Sequence, residues 1–380
     1  MSLVLTEDQT MLARTAASFA NEHTPVSRLR KLRDSKDERG YSLELLGKMA
    51  ELGWTAIPFS EADGGLGMGM AEMILVTEAL GRTLAPEPLI PSVVLAGGML
   101  ARAGSSAQKQ AWLTPLIAGE KVLAAAYAEN GTRYDLARGA TRAEASGAGW
   151  KLSGEKQQVW GGALADAYIV SARTAGAEGD KAGLSLFLVP ASAKGVKVTR
   201  QTRVDSLNAA IVRFDSVALD KAALLGTAGE GLAILEAAID RATIALCGEM
   251  LGGMSESFDR TVSYLKERKQ FGVLIGTFQG LKHRAAREYI EIELSRSAVM
   301  AAARALDEGR EDAASLVSLA KARLSDAYTH VANESVQMFA GIGMTDEHEI
   351  GFFMKRARAC ELTYGDAAYH RDRYARLGGF

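Results

Sequence analysis

YLKERKQFGVLIGTFQGLKH (264–283) closes one long helical segment and opens the next. Upstream of it, Leu232, Leu235, Ile239, Thr243, Leu246 and Met250 recur every three or four residues without a proline. That spacing predicts a helix from about 228 to about Arg268. Downstream, the same logic predicts helices over about 278–308, 311–340 and 348–373. Four long helices with apolar faces predict a bundle.

Between about 121 and 220 the texture differs. VLAAAYA (122–128), GWKLSGEKQQVW (149–160), DAYIVSART (166–174), LSLFLVP (184–190) and AAIVRF (209–214) are short β-favouring runs divided by turn residues. Too little helix lies between them for a parallel αβ sheet. The first third is helical again. Thr6 is placed to cap a segment through Met11, Leu12, Ala16 and Phe19. Leu43, Leu46, Met49 and Leu52 give a second helix, ended by Gly53, and Met73, Val76 and Leu80 a third. The expected fold is therefore α+β and multidomain. It has an N-terminal helical domain (1–120), a middle β-domain of barrel-like form (121–225) and a C-terminal four-helix bundle (226–380).

Composition excludes several classes. The 380 residues carry 44 basic and 46 acidic side chains, a net charge of -2, which argues against a protein that neutralises nucleic-acid phosphates. Two cysteines, Cys247 and Cys360, are too few for a disulfide framework or a cysteine zinc site. The histidines, His348 and His370 among them, have no partners at metal-ligand spacing, so no metal is expected. No apolar run approaches the ~20 residues of a bilayer span. MSLVLTEDQTML (1–12) lacks a basic stretch followed by an apolar core, so the expectation is a cytoplasmic protein without a signal peptide. Gly64, Gly65 and Gly67 follow no predicted strand, which removes a dinucleotide fingerprint.

RKQFG (268–272) offers a guanidinium and an amide, groups suited to a pyrophosphate, and Phe271 offers a flat face for an aromatic ligand. A helix end with a cation in its last turn accounts for the same residues.

Several separated stretches, in order, carry a resemblance to the acyl-CoA dehydrogenase superfamily of flavoproteins. They are ELGWTAIPFSEADGGLGM (51–68), YAENG (127–131), LSGEKQQVWGGALADAYIV (152–170), 264–283, QMFAGIGMTDEHEI (337–350) and LTYGDAAYHRDRYARL (362–377). The resemblance implies FAD, held between the β-domain and the bundle, and an acyl-CoA substrate. It also implies an electron-transfer flavoprotein as acceptor and a homodimer or homotetramer. Arg268, Gln270, Phe271 and Gln279 match positions that reach FAD across a dimer interface. Gln337 and Gly341 match another contact with its adenosine diphosphate end, where a glycine admits close backbone approach. In YAENG the family hydroxyl is replaced by Ala128, so the resemblance assigns the flavin to main-chain groups at Tyr127 or Ala128. A tryptophan–aliphatic–threonine run beside the flavin aligns with Gln158-Val159-Trp160. The aromatic is moved by two positions, which in a regular strand keeps its face and displaces it by roughly 6–7 Å.

The family reaction takes a proton from the carbon next to the thioester carbonyl and a hydride from the next carbon, leaving a 2-enoyl-CoA. Its base is a glutamate, usually in the C-terminal motif and in a minority on the first bundle helix. Those positions hold Tyr364 and Ala242 here. The remaining candidates are Glu249, seven residues past Ala242 and so about 10 Å along the same helix face, and Asp366, whose aligned position also contacts FAD. Asp240 is a weaker candidate, about 160° around the helix. Other readings stay open. This chain is alternatively one subunit of a heteromeric dehydrogenase, as in bacterial relatives acting on steroid or branched side chains. It is alternatively a flavin monooxygenase of the same fold, or a flavin-binding scaffold subunit.

Overall fold

The computed structural model describes residues 4–380; residues 1–3, part of the stretch read for a signal peptide, lie outside them. Among the described residues, seven α-helices open the chain: α1 (Glu7–His23), α2 (Val26–Asp34), α3 (Leu43–Glu51), α4 (Met70–Thr83), α5 (Gly98–Ala103), α6 (Ser106–Gln108) and α7 (Thr114–Ile117). Eight strands follow: β1 (Leu123–Ala126), β2 (Arg142–Ser146), β3 (Gly149–Trp160), β4 (Ala167–Arg173), β5 (Leu184–Pro190), β6 (Val196–Gln201), β7 (Ala209–Asp220) and β8 (Leu224–Leu225). Then come α8 (Gly231–Glu267), a hairpin of β9 (Lys269–Gln270) and β10 (Val273–Leu274), α9 (Gln279–Asp307), α10 (Ala313–Phe339), α11 (Ile350–Leu362) and α12 (Ala367–Leu377). The helical, β, helical order matches the expectation. No helix among the described residues is long and apolar enough to cross a membrane.

Two compact units are present. The first contains the residues up to Lys31, Gly69–Ala85 and Thr243–Phe380; the second contains Leu32–Met68 and Pro86–Ala242.

In the first unit, Thr6 caps α1 as the sequence predicts. Its hydroxyl accepts the Gln9 N–H (3.2 Å) and its own N–H reaches Gln9 Oε1 (3.1 Å), a reciprocal pair that satisfies two end donors. The start of α4 is satisfied from a distance in sequence: Asp307, at the end of α9, accepts the N–H groups of Met70 (2.7 Å) and Ala71 (2.9 Å). Glycines let α4 and α8 approach to backbone contact. A Cβ on Gly252 would lie 1.9 Å from the Glu78 carbonyl oxygen, and one on Gly81 2.1 Å from that of Glu249.

The second unit holds the sheet. Its order is β6-β7-β3-β2-β4-β5-β8, with β1 parallel to β4. Leu152, Tyr168, Phe187, Val212 and Phe214 form its buried core. Strand β3 carries a bulge between Lys156 and Val159, where Gln158 takes φ +50° and donates its N–H to Gln201 Oε1 (2.9 Å). Positions 158 and 160 are therefore not two steps of one regular strand, as the alternation argument supposed.

One predicted helix is two. The 348–373 pattern breaks at 363–366, because Tyr364 (φ +62°) and Gly365 (φ +120°) turn the chain and Asp366 caps α12 through the Tyr369 N–H (2.9 Å). Apolar spacing continues through the break, so periodicity alone does not see it.

Candidate functional site

The corner between α11 and α12 holds two positions that the sequence singled out, Tyr364 and Asp366. Tyr364 is buried there in left-handed backbone, a conformation that costs energy for a non-glycine residue. Asp366 is half-buried, and its side chain is committed to the cap of α12. Ala242 is fully buried among apolar neighbours of α8.

Glu249, the other candidate base, is held by Arg356 of α11. Nε lies 2.6 Å from Oε1 and Nη2 3.0 Å from Oε2, with both side chains buried. This two-point geometry commits the carboxylate to a guanidinium. Protonating it would strand a buried cation, which counts against Glu249 as the base. Sequence reading missed Arg356 because it lies 107 residues away.

The hairpin after α8 places four groups with little to do inside the chain. Arg268 and Gln270 are exposed, and Arg268 forms no ion pair among the described residues. The Gln270 amide donates only to the neighbouring Lys269 carbonyl (2.9 Å). Phe271 is 91% exposed at φ +54° and meets the Phe278 ring edge-on. Gln279, first residue of α9, is exposed as well. At the end of α10, Gln337 and Gly341 are exposed, and a Cβ on Gly341 would meet nothing within 4 Å. The hairpin thus turns a guanidinium, an amide and an aromatic ring to the surface, groups chemically suited to a flat, phosphorylated ligand.

In the second unit, a buried ion pair builds the 127–129 loop. Lys156 Nζ donates to Glu129 Oε1 (2.6 Å), to the Tyr127 carbonyl (3.2 Å) and to Ser171 Oγ (3.1 Å). Glu129 also accepts the N–H groups of Ala140 (2.7 Å) and Thr141 (3.1 Å). Burial pushes the Glu129 carboxyl up, but the Lys156 charge and these hydrogen bonds outweigh it and hold the group below its ordinary value. The Ala128 carbonyl is tied to the Gln157 N–H (2.8 Å), so the loop and β3 move as one piece. Further along β3, Val159 is buried and Trp160 half-buried. The Arg203 guanidinium lies 5.9 Å from the Trp160 ring and is itself held two-point by buried Asp205 (3.0 Å each). Arg203 was not legible from sequence, since its partner Asp205 marks only a turn there.

An apolar cavity of about 430 Å³ lies among α1, α4, α8 and α9, lined by Ala17, Ile74, Leu251 and Met300. Its polar edge is already paired, Arg296 to Glu78 at 2.6 Å, so it holds no reactive group. No cluster of three or more metal-ligating side chains occurs among the described residues.

Residues 6–120, 124–217 and 229–378 match, in turn, the N-terminal, middle and C-terminal domains of acyl-CoA dehydrogenase. The chain belongs to the acyl-CoA dehydrogenase family. It is accordingly a flavoprotein oxidoreductase. Among this family's members it is 30% identical to the mitochondrial isovaleryl-CoA dehydrogenase of Pongo abelii, over 97% of this chain and 88% of that one. It is 28% identical to the short-chain specific acyl-CoA dehydrogenase of Clostridium acetobutylicum, over 96% of each. In structure it is similar to a chain of the ChsE4-ChsE5 complex of Mycobacterium tuberculosis, with a TM-score of 0.89, 28% identity and coverage of 100% and 99%. Of the carboxylates singled out from the sequence, Glu249 is paired with Arg356 and one oxygen of Asp366 caps α12.

Proposed function

We propose that this chain is the flavin-carrying subunit of an acyl-CoA α,β-dehydrogenase whose proton-abstracting carboxylate comes from a related partner chain. The observation that carries the reading is Tyr364, buried in the α11–α12 corner where the resemblance puts a glutamate. Similarity to a chain of a two-component complex supports it. The three domains take the boundaries 1–120, 121–225 and 226–380, and the assembly works in the cytoplasm with an electron-transfer flavoprotein as acceptor.

In this reading Arg268, Gln270, Phe271, Gln279, Gln337 and Gly341 hold the diphosphate and adenosine end of FAD belonging to a second copy or a relative. Tyr127, Ala128, Val159, Trp160 and Asp366 serve the flavin ring. Bound FAD supplies the two-electron acceptor. The protein's share is to orient the thioester, to give its oxygen hydrogen bonds as enolate charge develops, and to place a base at the α-carbon. The α-proton goes to the base and the β-hydrogen leaves as hydride, so the C–C single bond becomes a double bond. Trp160, with the Arg203 guanidinium 5.9 Å from its ring, would supply an aromatic face to the flavin.

The test is anaerobic mixing of the FAD-loaded protein with short, long, branched and steroid-type acyl-CoAs. It is done alone, after co-expression with a carboxylate-bearing relative, and in Tyr364→Glu. Bleaching of the flavin only with the partner, or in Tyr364→Glu, supports the reading. An unchanged spectrum in all three overturns it. Bleaching by the wild-type chain alone favours a self-sufficient dehydrogenase, and oxygen consumption on supply of reduced flavin favours a monooxygenase.

A further inference from the structure

The corner that carries Tyr364 and Asp366 is gripped from beneath by two buried titratable side chains. Lys321, on α10, has no solvent exposure. All three of its ammonium hydrogens are placed: Nζ lies 2.7 Å from the Gly365 carbonyl oxygen, 3.0 Å from that of Glu361 and 3.0 Å from Ser325 Oγ. The Glu361 carbonyl is among the last of α11, which no N–H of that helix can reach. His370, on α12 and equally buried, sets Nε2 3.2 Å from the Tyr364 carbonyl oxygen. That partner can only accept, so Nε2 carries the hydrogen. Gly365 is what lets His370 come so close, since a Cβ there would sit 2.6 Å from Nε2. Three carbonyls at this corner, Glu361 in the last turn of α11 and Tyr364 and Gly365 beyond it, are thus held by buried donors from α10 and α12.

We propose that Lys321 and His370 are positioning residues that fix the backbone of Tyr364 and Asp366 for the flavin reaction, with Lys321 acting as a cation. The inference rests on the reading above that this corner faces the reacting groups. Burial lowers the Lys321 pKa to about 8, against the upward pull of Cys247 on α8, Cys360 and Glu361 on α11 and Asp366 ahead of α12. Burial, then the Lys321 charge and Arg373, lower His370 to about 3, while its bond to the Tyr364 carbonyl and Asp366 oppose this. His370 therefore stays a neutral donor at working pH, and the component that titrates is Lys321. Loss of its proton replaces two charge-assisted bonds to carbonyls by weaker neutral ones, with Ser325 Oγ left to donate to the amine, and this loosens the turn.

The test uses the FAD-loaded protein, with any partner that flavin reduction requires. Amide hydrogen exchange of the 363–370 segment is compared with that of α9 in the wild type, Lys321→Met and Lys321→Arg. Flavin reduction gives kcat and KM. Lys321→Met is expected to raise exchange in the corner at least tenfold with α9 unchanged, and to lower kcat tenfold or more with KM nearly constant. Lys321→Arg is expected to restore part of both and to remove the loss of rate near pH 8. Exchange that stays at the wild-type level in Lys321→Met, or that rises equally in α9, overturns the proposal. So does a local rise with no change in kcat. Should Lys321→Met fail to fold, the wild type decides it. Between pH 7 and 9 the corner must gain exchange over α9 beyond the common base-catalysed increase, and equal gains overturn the proposal. Absence of flavin reduction by any acyl-CoA under any pairing is the separate failure of the dehydrogenase reading, and the clamp is then judged on exchange alone.

Discussion

Arg356 holds both carboxylate oxygens of Glu249, at 2.6 and 3.0 Å, across the packing of α11 on α8. A carboxylate so engaged is a structural anion. Glu249→Gln should therefore slow flavin reduction by less than about tenfold, against the about 10²–10⁴-fold loss expected for a true base. Stopped-flow reduction of the loaded assembly measures this, and a loss beyond a hundredfold in a folded variant would make Glu249 the base after all. Arg356→Ala strands the buried anion and should cost about 3–5 kcal/mol in urea unfolding.

The Glu129–Lys156 pair makes an acid-side prediction. The folded-state carboxyl is held below its ordinary value of 4.5, so its contribution to stability is complete above that pH and is lost as pH falls through the folded value. The stability advantage of the wild type over Glu129→Gln should be constant from pH 7 to 6 and shrink below about 4.5. Urea midpoints at pH 7, 5 and 4 read it directly.

Glu288 on α9 has the opposite sign. It is buried with no hydrogen-bond partner for either oxygen among the described residues, and burial, then the Glu334 charge, raise its pKa to about 8 against the opposing Arg284. Between 4.5 and about 8 the folded chain keeps a proton that the unfolded chain has released, so stability falls as pH rises through that window and levels off above it. In Glu288→Gln the slope assigned to this group should vanish. Urea midpoints at pH 5, 6.5, 8 and 9 test the difference.

Tyr328 of α10 is buried to 1% exposure, and its hydroxyl has no hydrogen-bond partner among the described residues. A buried donor without an acceptor costs about 1–3 kcal/mol. Tyr328→Phe should therefore raise the unfolding midpoint, and a lowered midpoint would reveal a partner such as a bound water.

Gly252 sits where α8 meets α4, with the Glu78 carbonyl oxygen 1.9 Å from the position of an added Cβ. Gly252→Ala forces the two helices apart and should cost at least about 1–3 kcal/mol. An exposed control such as Gly280→Ala, which meets nothing within 4 Å, should be neutral or slightly stabilising by thermal unfolding.

Much of this was open to sequence reading. The apolar spacing from Leu232 to Met250 placed α8, Thr6 proved a true cap, and the β-favouring runs from 122 to 214 became the sheet. The fold keeps Arg268, Gln270 and Phe271 of RKQFG at the surface. The break at Tyr364–Gly365 was not visible, since it needs the collision that any side chain at 365 would have with His370. Nor was the bulge at Gln158, which depends on pairing with β7.

Sequence by itself determined the order of helical and β segments, the residues Ala242 and Tyr364 at the positions where the resemblance implies a carboxylate, and the groups offered by the hairpin. These are local or positional properties, carried by periodicity and residue type. Tertiary structure alone decided which charges are spent. Glu249 meets Arg356, Glu129 meets Lys156, and Lys321 meets the carbonyls of 361 and 365, over separations of 107, 27, 40 and 44 residues. No local pattern encodes such pairings. A buried charge takes whatever partner the packing brings within about 3 Å, and that choice is made only when the helices and strands close on one another.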